Sequence, residues 1–297
     1  HESKEPNVLV TNNPRIGFTY LLPALAFVGV FVLYPLGQLF YLSLTNESLL
    51  GGGRFIGLGN YQRAFTDQSF WQSLLFTLKY TAIITPILIG LGFVLALLVS
   101  TNTTLLRFTR GVLFTPVVIG LASSSLLFVW LFNQQVGLIN RLLVDIGILA
   151  APIVWFRDAD LGMFAVILSV VWKMVGFGMI IMVGGIQAIS HDVLEAAKID
   201  GANYLQRVGR IIIPLSSRAI LLASLVSAIG SMLAFDQFYL MTGGAPRGQT
   251  FTSVYWIYQN SFVYFELGYG GALSIILMVI IMLAAAIQIM LQRRSGV

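Results

Sequence analysis

Glu195-Ala196-Ala197-Lys198-Ile199-Asp200-Gly201-Ala202, closed by Ile213-Pro214, reads as a polar helical hairpin set between long apolar spans. Glu-Ala-Ala-Lys has high helix propensity, Ser190 offers an N-cap, and Asp192 places negative charge in the first turn, where the helix dipole favours it. Asp200-Gly201 supplies a turn. A second helical run from Ala202 to Ile213 carries Arg207 and Arg210, and Pro214 stops it. The small residues Ala196, Ala197, Gly201 and Ala202 leave a shallow surface on which another protein can sit closely. On these mechanics alone, a solvated helix without a partner reads the same way.

Working outward, the rest of the chain is too apolar for a water-soluble domain: 57% of its 297 residues are hydrophobic and 10% charged, with a mean hydropathy of +0.87. A spanning helix needs about 20 apolar residues to cross roughly 30 Å of hydrocarbon. Runs that qualify are Ile16 to Asn46, Tyr80 to Leu106, Gly162 to Ser190, a segment from Ala219 past Asp236 towards Met241, and Gly268 to Gln292. Gly111 to Asn140 is too long for one span and reads as a helix plus a re-entrant or surface segment. The expectation is an all-α membrane protein of about six spans. The first run exceeds the core of a signal peptide and is read as a retained helix.

Basic residues mark the cytoplasmic side. With the amino terminus inside, Lys4, Arg15, Arg107, Arg110, Lys198, Arg207, Arg210, Arg218, Arg293 and Arg294 are cytoplasmic, against Arg54, Arg63, Arg141, Arg157 and Arg247 outside. Both termini are therefore placed in the cytoplasm, and membrane topology accounts for the net charge of +5 without a nucleic-acid partner. The absence of cysteine excludes disulfides and thiolate chemistry, and His1 and His191 cannot build a histidine metal cluster. There is no Gly-rich phosphate loop and no nucleophile elbow, so passage of a solute is a better reading than catalysis.

Ionisable groups at membrane depth are costly and face a cavity or one another. Lys173, about ten residues into its span, and Asp236, near the outer end of the next, are such groups. They read either as a structural ion pair, with snorkelling by Lys173 as a variant, or as a pair lining a pathway and binding the hydroxyls of a sugar. Trp172, Phe235, Tyr239, Tyr255 and Trp256 lie near these charges or in the last outer loop, where they read as sugar-stacking faces or as an interfacial belt. Gly176, Gly178, Gly184 and Gly185 read as close helix-packing positions, and Pro23, Pro35, Pro86 and Pro116 as kinks.

The spacing of Glu-Ala-Ala, Asp-Gly-Ala and Ile-x-Ile-Pro resembles the signature loop of permease subunits in binding-protein-dependent ABC importers. Further residues resemble the sugar-importer branch, in particular the first permease of maltose-type systems. They are Gly57-Leu58-Gly59-Asn60-Tyr61 with Asp67, Phe70-Trp71 and Thr77, then Arg110-Gly111, Pro116, Trp130 and Gly137-Leu138-Ile139-Asn140. Near the end come Gly243-Gly244-Ala245-Pro246, Thr250, Tyr258, Phe262 and Gly268-Tyr269-Gly270. The chain departs from the pattern at Val208, where many relatives carry an aromatic, and in its short outer segment from about Gln134 to Gly162.

The resemblance implies a type I importer permease fold: one transmembrane domain over residues 1–297, with a cytoplasmic tail at 1–15 and a coupling loop at 190–214, in a bacterial or archaeal inner membrane. It implies a second homologous permease, an ATPase dimer that holds ATP and Mg, and an extracytoplasmic solute-binding protein. It assigns Glu195, Ala196, Ala197, Asp200 and Gly201 to ATPase coupling, with the Glu195 carboxylate pairing with basic groups on the ATPase. The opposed charges of Lys173 and Asp236 favour a neutral di- or oligosaccharide over glycerol 3-phosphate, the alternative; a stand-alone secondary transporter is the further one.

Overall fold

The computed structural model describes residues 14–294. Residues 1–13 of the expected cytoplasmic tail lie outside that range. Every named element among the described residues is helical, and one isolated antiparallel bridge joins Thr45 to Phe55.

Four helices are long and apolar enough to cross a bilayer: α1 (Tyr20–Ser43), α2 (Gln68–Val99), the central α5 (Ala159–Gln187) and α8, whose apolar part is Leu267–Met290. Two bent pairs bring the count to six, as expected, if each is one span. In the first, α3 (Thr104–Val118) turns through 91° into α4 (Leu121–Leu131), and in the second, Tyr204–Leu215 turns through 69° into α7 (Ser217–Met232). Pro116 lies in the last turn of α3, at the first of these breaks.

Hydropathy misplaced both ends of the second span. The expected span from Tyr80 to Leu106 is α2, which starts twelve residues earlier because Asp67 caps it, accepting hydrogen bonds from the backbone N–H of Ser69 and Phe70. It ends at Val99, and Leu106 belongs to α3, capped by Thr103. Lys79 therefore lies within α2 and pairs with Asp160 at the start of α5 (2.7 Å), while Gln187 at the other end of α5 donates to the Ser100 carbonyl (2.8 Å). The two bonds show that α2 and α5 run parallel.

The α2 face made of Tyr80, Ile84, Leu88, Gly92, Ala96 and Val99 repeats at helical spacing and is buried, largely against α5. A Cβ on Gly176 would collide with the Leu113 carbonyl of α3, and one on Gly185 with Ala219 of α7, so these two glycines set close helix approaches as expected. Gly184 meets nothing and Gly178 is in ordinary contact, so neither is needed for packing. The sequence reading passed over Gly92, whose missing side chain lets α2 approach the backbone of Met179. By contrast α1 has none of its apolar window buried.

Candidate functional site

The hairpin begins at the end of α5. Helix α6 (His191–Ile199) has Ser190 at its N-cap position, although the Ser190 side chain makes no capping bond, and Asp192 sits in the first turn. At its other end Gly201 adopts φ +79, a left-handed conformation that glycine takes without steric cost. Its N–H donates to the Lys198 carbonyl (3.1 Å), and the N–H of Ala202 donates to Ala197 (3.0 Å), the paired bonds of a Schellman turn. Asn203 and Gln206 then form a reciprocal capping box, each accepting at 2.9 Å from the other's backbone, and Arg207 donates to the Ala202 carbonyl (2.7 Å). The turn is held at every backbone group that matters, which makes it a stiff projection.

Pro214 sits at the close of the second run, as expected: the helical stretch Tyr204–Leu215 ends one residue beyond it, and the chain then turns through 69° into α7.

Which face of α6 is free also differs from expectation. Leu194 packs against a core that includes Val99, Met182, Ile186 and Ile212, and Ala197, three residues on along the same helix, is 8% exposed, so Ala197 lies on the covered side of the hairpin and not on its outer surface. The outer surface is formed by Ala196, Asp200 and Gly201 together with large apolar side chains that the sequence reading missed: Ile199 (86% exposed), Leu205 (78%), Tyr204 and Val193. Their signal was present as bulky apolar residues in a polar loop, which water does not favour without a partner. Glu195 is only partly exposed and already accepts from Lys198 (2.7 Å), with His191 at 3.6 Å. The Lys198 hydrogen bond and charge hold its carboxyl below the usual range, burial opposes this slightly, and His191 and Arg207 add to it.

The expected ion pair between Lys173 and Asp236 is not formed. Lys173, 4% exposed, donates to the carbonyls of Pro116 (3.3 Å), Val117 (3.1 Å) and Ile119. These carbonyls lie where α3 ends, Pro116 also accepting from the backbone N–H of Ile119 (3.2 Å), so the ammonium sits on a helix C-terminus inside the bundle. Asp236 is half-buried, follows the break at the end of α7, and makes no ion pair or side-chain hydrogen bond among the described residues.

The aromatics divide into two groups. Trp172 packs on Phe128 of α4 (centroids 5.5 Å apart). Tyr239 stacks on Phe235 (5.2 Å) and meets Tyr255 and Tyr258 edge-on (both 5.4 Å).

Beside Asp236, Gln237 is the polar residue that the structure turns inward. It is 8% exposed, its Oε1 has no hydrogen-bond partner among the described residues, and it lines a cavity of about 150 Å³ among Tyr80 and Leu88 of α2, Leu121 of α4, Met174 of α5 and Ser227 and Ser231 of α7. The lining carries no formal charge. A buried acceptor without a partner is costly unless a ligand or water meets it. Sequence reading chose the ionisable neighbour because charge is the stronger signal, while the direction of each side chain depends on the break before Phe235.

Residues 16–297 match the family described as binding-protein-dependent transport system inner membrane component. The sulfoquinovosyl glycerol transport permease SmoG of Agrobacterium fabrum is 32% identical over 92% of this chain and 89% of its own length. The lactose transport permease LacF of Rhizobium radiobacter is 31% identical over 92% of each chain. Among solved structures, a bacterial alginate ABC transporter in complex with its alginate pentasaccharide-bound periplasmic protein superposes with a TM-score of 0.82 at 18% identity, covering 95% of both chains, which shows the shared fold. The chain therefore belongs to the inner-membrane components of binding-protein-dependent transport systems: it is a permease subunit of an ABC importer and not itself an enzyme.

Proposed function

We propose that this permease forms one half of the pathway for a neutral di- or oligosaccharide, pairing with a second, homologous permease. The observation that carries the substrate class is the uncharged cavity with the unpartnered Gln237 carbonyl: it offers hydrogen bonds to hydroxyls and nothing to neutralise a phosphate, which disfavours glycerol 3-phosphate. The relatives named for sulfoquinovosyl glycerol and lactose support a glycoside-importing branch, and of the two it is lactose that is neutral, sulfoquinovosyl glycerol carrying a sulfonate. Lys173 does not line the cavity, and its ammonium is turned to three backbone carbonyls, so it does not enter the choice.

In this reading residues 1–297 are one permease domain with both termini cytoplasmic, and residues 190–214 dock on an ATPase dimer that binds ATP and Mg. Docking uses the apolar tip, Ile199, Tyr204 and Leu205, on the stiff turn at Asp200-Gly201, with Glu195 and Ala196 beside it. A solute-binding protein delivers the sugar at the opposite end of the bundle, and nucleotide-driven movement of the hairpin reaches the cavity along α5.

Reconstitution with the binding protein and a panel of maltose, lactose, trehalose, sucrose and glycerol 3-phosphate tests the proposal. ATP hydrolysis stimulated by a neutral saccharide, and lost in Gln237→Leu, is the expected result. Stimulation by glycerol 3-phosphate alone overturns it.

A further inference from the structure

A second recess lies at the far end of the bundle from the hairpin, where α2 begins. It is an open cleft of about 390 Å³, within the roughly 300–1,000 Å³ range of small-molecule sites, and its walls include Gln72, Arg247, Gln249, Phe251, Trp256 and Tyr264. Two observations set it apart from an ordinary surface groove. The first is a fixed aromatic wall. The indole N–H of Trp256 donates to Asp67 Oδ2 (3.1 Å), and the same oxygen accepts from Tyr269 (2.6 Å) while Oδ1 caps α2, so the ring is pinned by a carboxylate that has no capacity left for a ligand. Phe251 and Tyr264 stand beside it, with centroids 5.8 and 6.2 Å from the Trp256 ring.

The second is the polar rim. Arg247 is held at φ +50, a left-handed conformation uncommon for a side-chain-bearing residue, and it makes no ion pair among the described residues. The amides of Gln72 and Gln249 complete the rim, and no carboxylate lines the cleft.

A pyranose has apolar C–H faces and a circumference of hydroxyls, so it needs an aromatic surface edged by donors and acceptors. We infer that this cleft is an outer waiting site for one glycosyl unit of the transported saccharide, with the sugar face on Trp256 and its hydroxyls on Arg247, Gln72 and Gln249. The inference rests on the saccharide reading above. It adds to that reading a second position, separated from the inner cavity by the buried edge-to-face packing of Phe238 on Phe76 and Tyr80, centroids 5.2 and 5.0 Å apart. A glycosyl unit held there is presented to the bundle before those rings part.

The experiment uses the assembled transporter in nanodiscs. The saccharide giving the largest ATPase stimulation in the panel is added without binding protein, and magnetisation transfer from protein to the sugar ring protons is measured by NMR. Arg247→Asn, which keeps a residue tolerant of the left-handed backbone, and Gln72→Ala are both at exposed positions and leave the fold intact. Each is expected to weaken the saccharide by about tenfold, the effect of a lost hydrogen bond to a charged or amide group. Leu50→Ala, 83% exposed and outside both recesses, is expected to keep the transfer. Unchanged transfer in both outer variants overturns the waiting site. So does a loss of affinity for the binding protein with saccharide transfer intact, which would make the cleft a protein-docking pocket. If no saccharide stimulates hydrolysis at all, it is the import reading that fails, and the two failures are told apart by that first arm.

Discussion

Lys173 shows how one side chain can change meaning between sequence and structure. Its ammonium, buried in the bundle, meets three carbonyls at the end of α3, so removing it takes a charged donor from all three. Lys173→Met is expected to lower the stability of the purified complex by about 1–3 kcal/mol, read as an earlier thermal transition. Asp236→Asn is expected to change it by less than about 0.5 kcal/mol. A double-mutant cycle between the two should give a coupling near zero, whereas a coupling above about 1 kcal/mol would restore the ion pair. Glu195 makes a different kind of statement. Lys198 depresses its carboxyl below the usual value, so the pair's contribution is complete above the ordinary glutamate range of about 4.3 and is lost as the pH falls through the lowered value. Carbon-13 titration of that carboxyl should therefore have its midpoint below that of a free glutamate; a midpoint at or above it would show that the contact with Lys198 is not made.

At the scale of the element, the hairpin divides into an attached face and a free one. Leu194 and Ala197 hold it to the bundle, while Ile199 and Leu205 stand almost wholly in water. Ile199→Asp and Leu205→Ser should leave the permease inserted and folded, because neither side chain is packed, yet reduce ATPase recovered on purification by about tenfold or more, as expected for apolar anchors at an interface. Equal recovery would remove the apolar tip from the docking surface. Gly201→Ala acts through the backbone: the space is open, but a left-handed alanine costs about 1 kcal/mol, enough to loosen the turn and lower coupled uptake. The Asp200-Gly201 turn was legible in the sequence because its rules are local. The burial of Ala197 was not, since a small residue reads equally as packing or as docking until the neighbouring helix is known. The start of α2 at Gln68 was hidden because Lys79 interrupts the apolar run and the signal for the true start is the Asp67 cap, not hydropathy. The partner of Lys173 was hidden because backbone carbonyls become available only where a helix breaks, and the 91° turn after Pro116 is a tertiary event.

At the scale of the whole molecule, parallel α2 and α5 place the hairpin at one end of the bundle and the Arg247 cleft at the other, separated by the 32 residues of α2, about 48 Å. The chain has no cysteine, so single replacements report sidedness without background. Leu50→Cys, 83% exposed near the cleft end, should react with an impermeant maleimide in intact cells, and Ile199→Cys only after permeabilisation. The opposite pattern would invert the orientation and remove the hairpin from its ATPase. The order of the four long spans, and of the two bent pairs that make six if each is one span, was readable from hydropathy, because the bilayer sets a minimum apolar length for every crossing. Helix α1 has a further consequence. With Phe27, Phe31 and Tyr34 projecting outward and no residue of its apolar window buried, its first half stands to one side like an unclaimed stave, while Tyr34–Ser43 leans on α8. A cell that synthesises this subunit in excess of its companions would present that bare column to the proteases that clear orphaned membrane proteins, so the lifetime of the polypeptide should follow the stoichiometry of its co-expression.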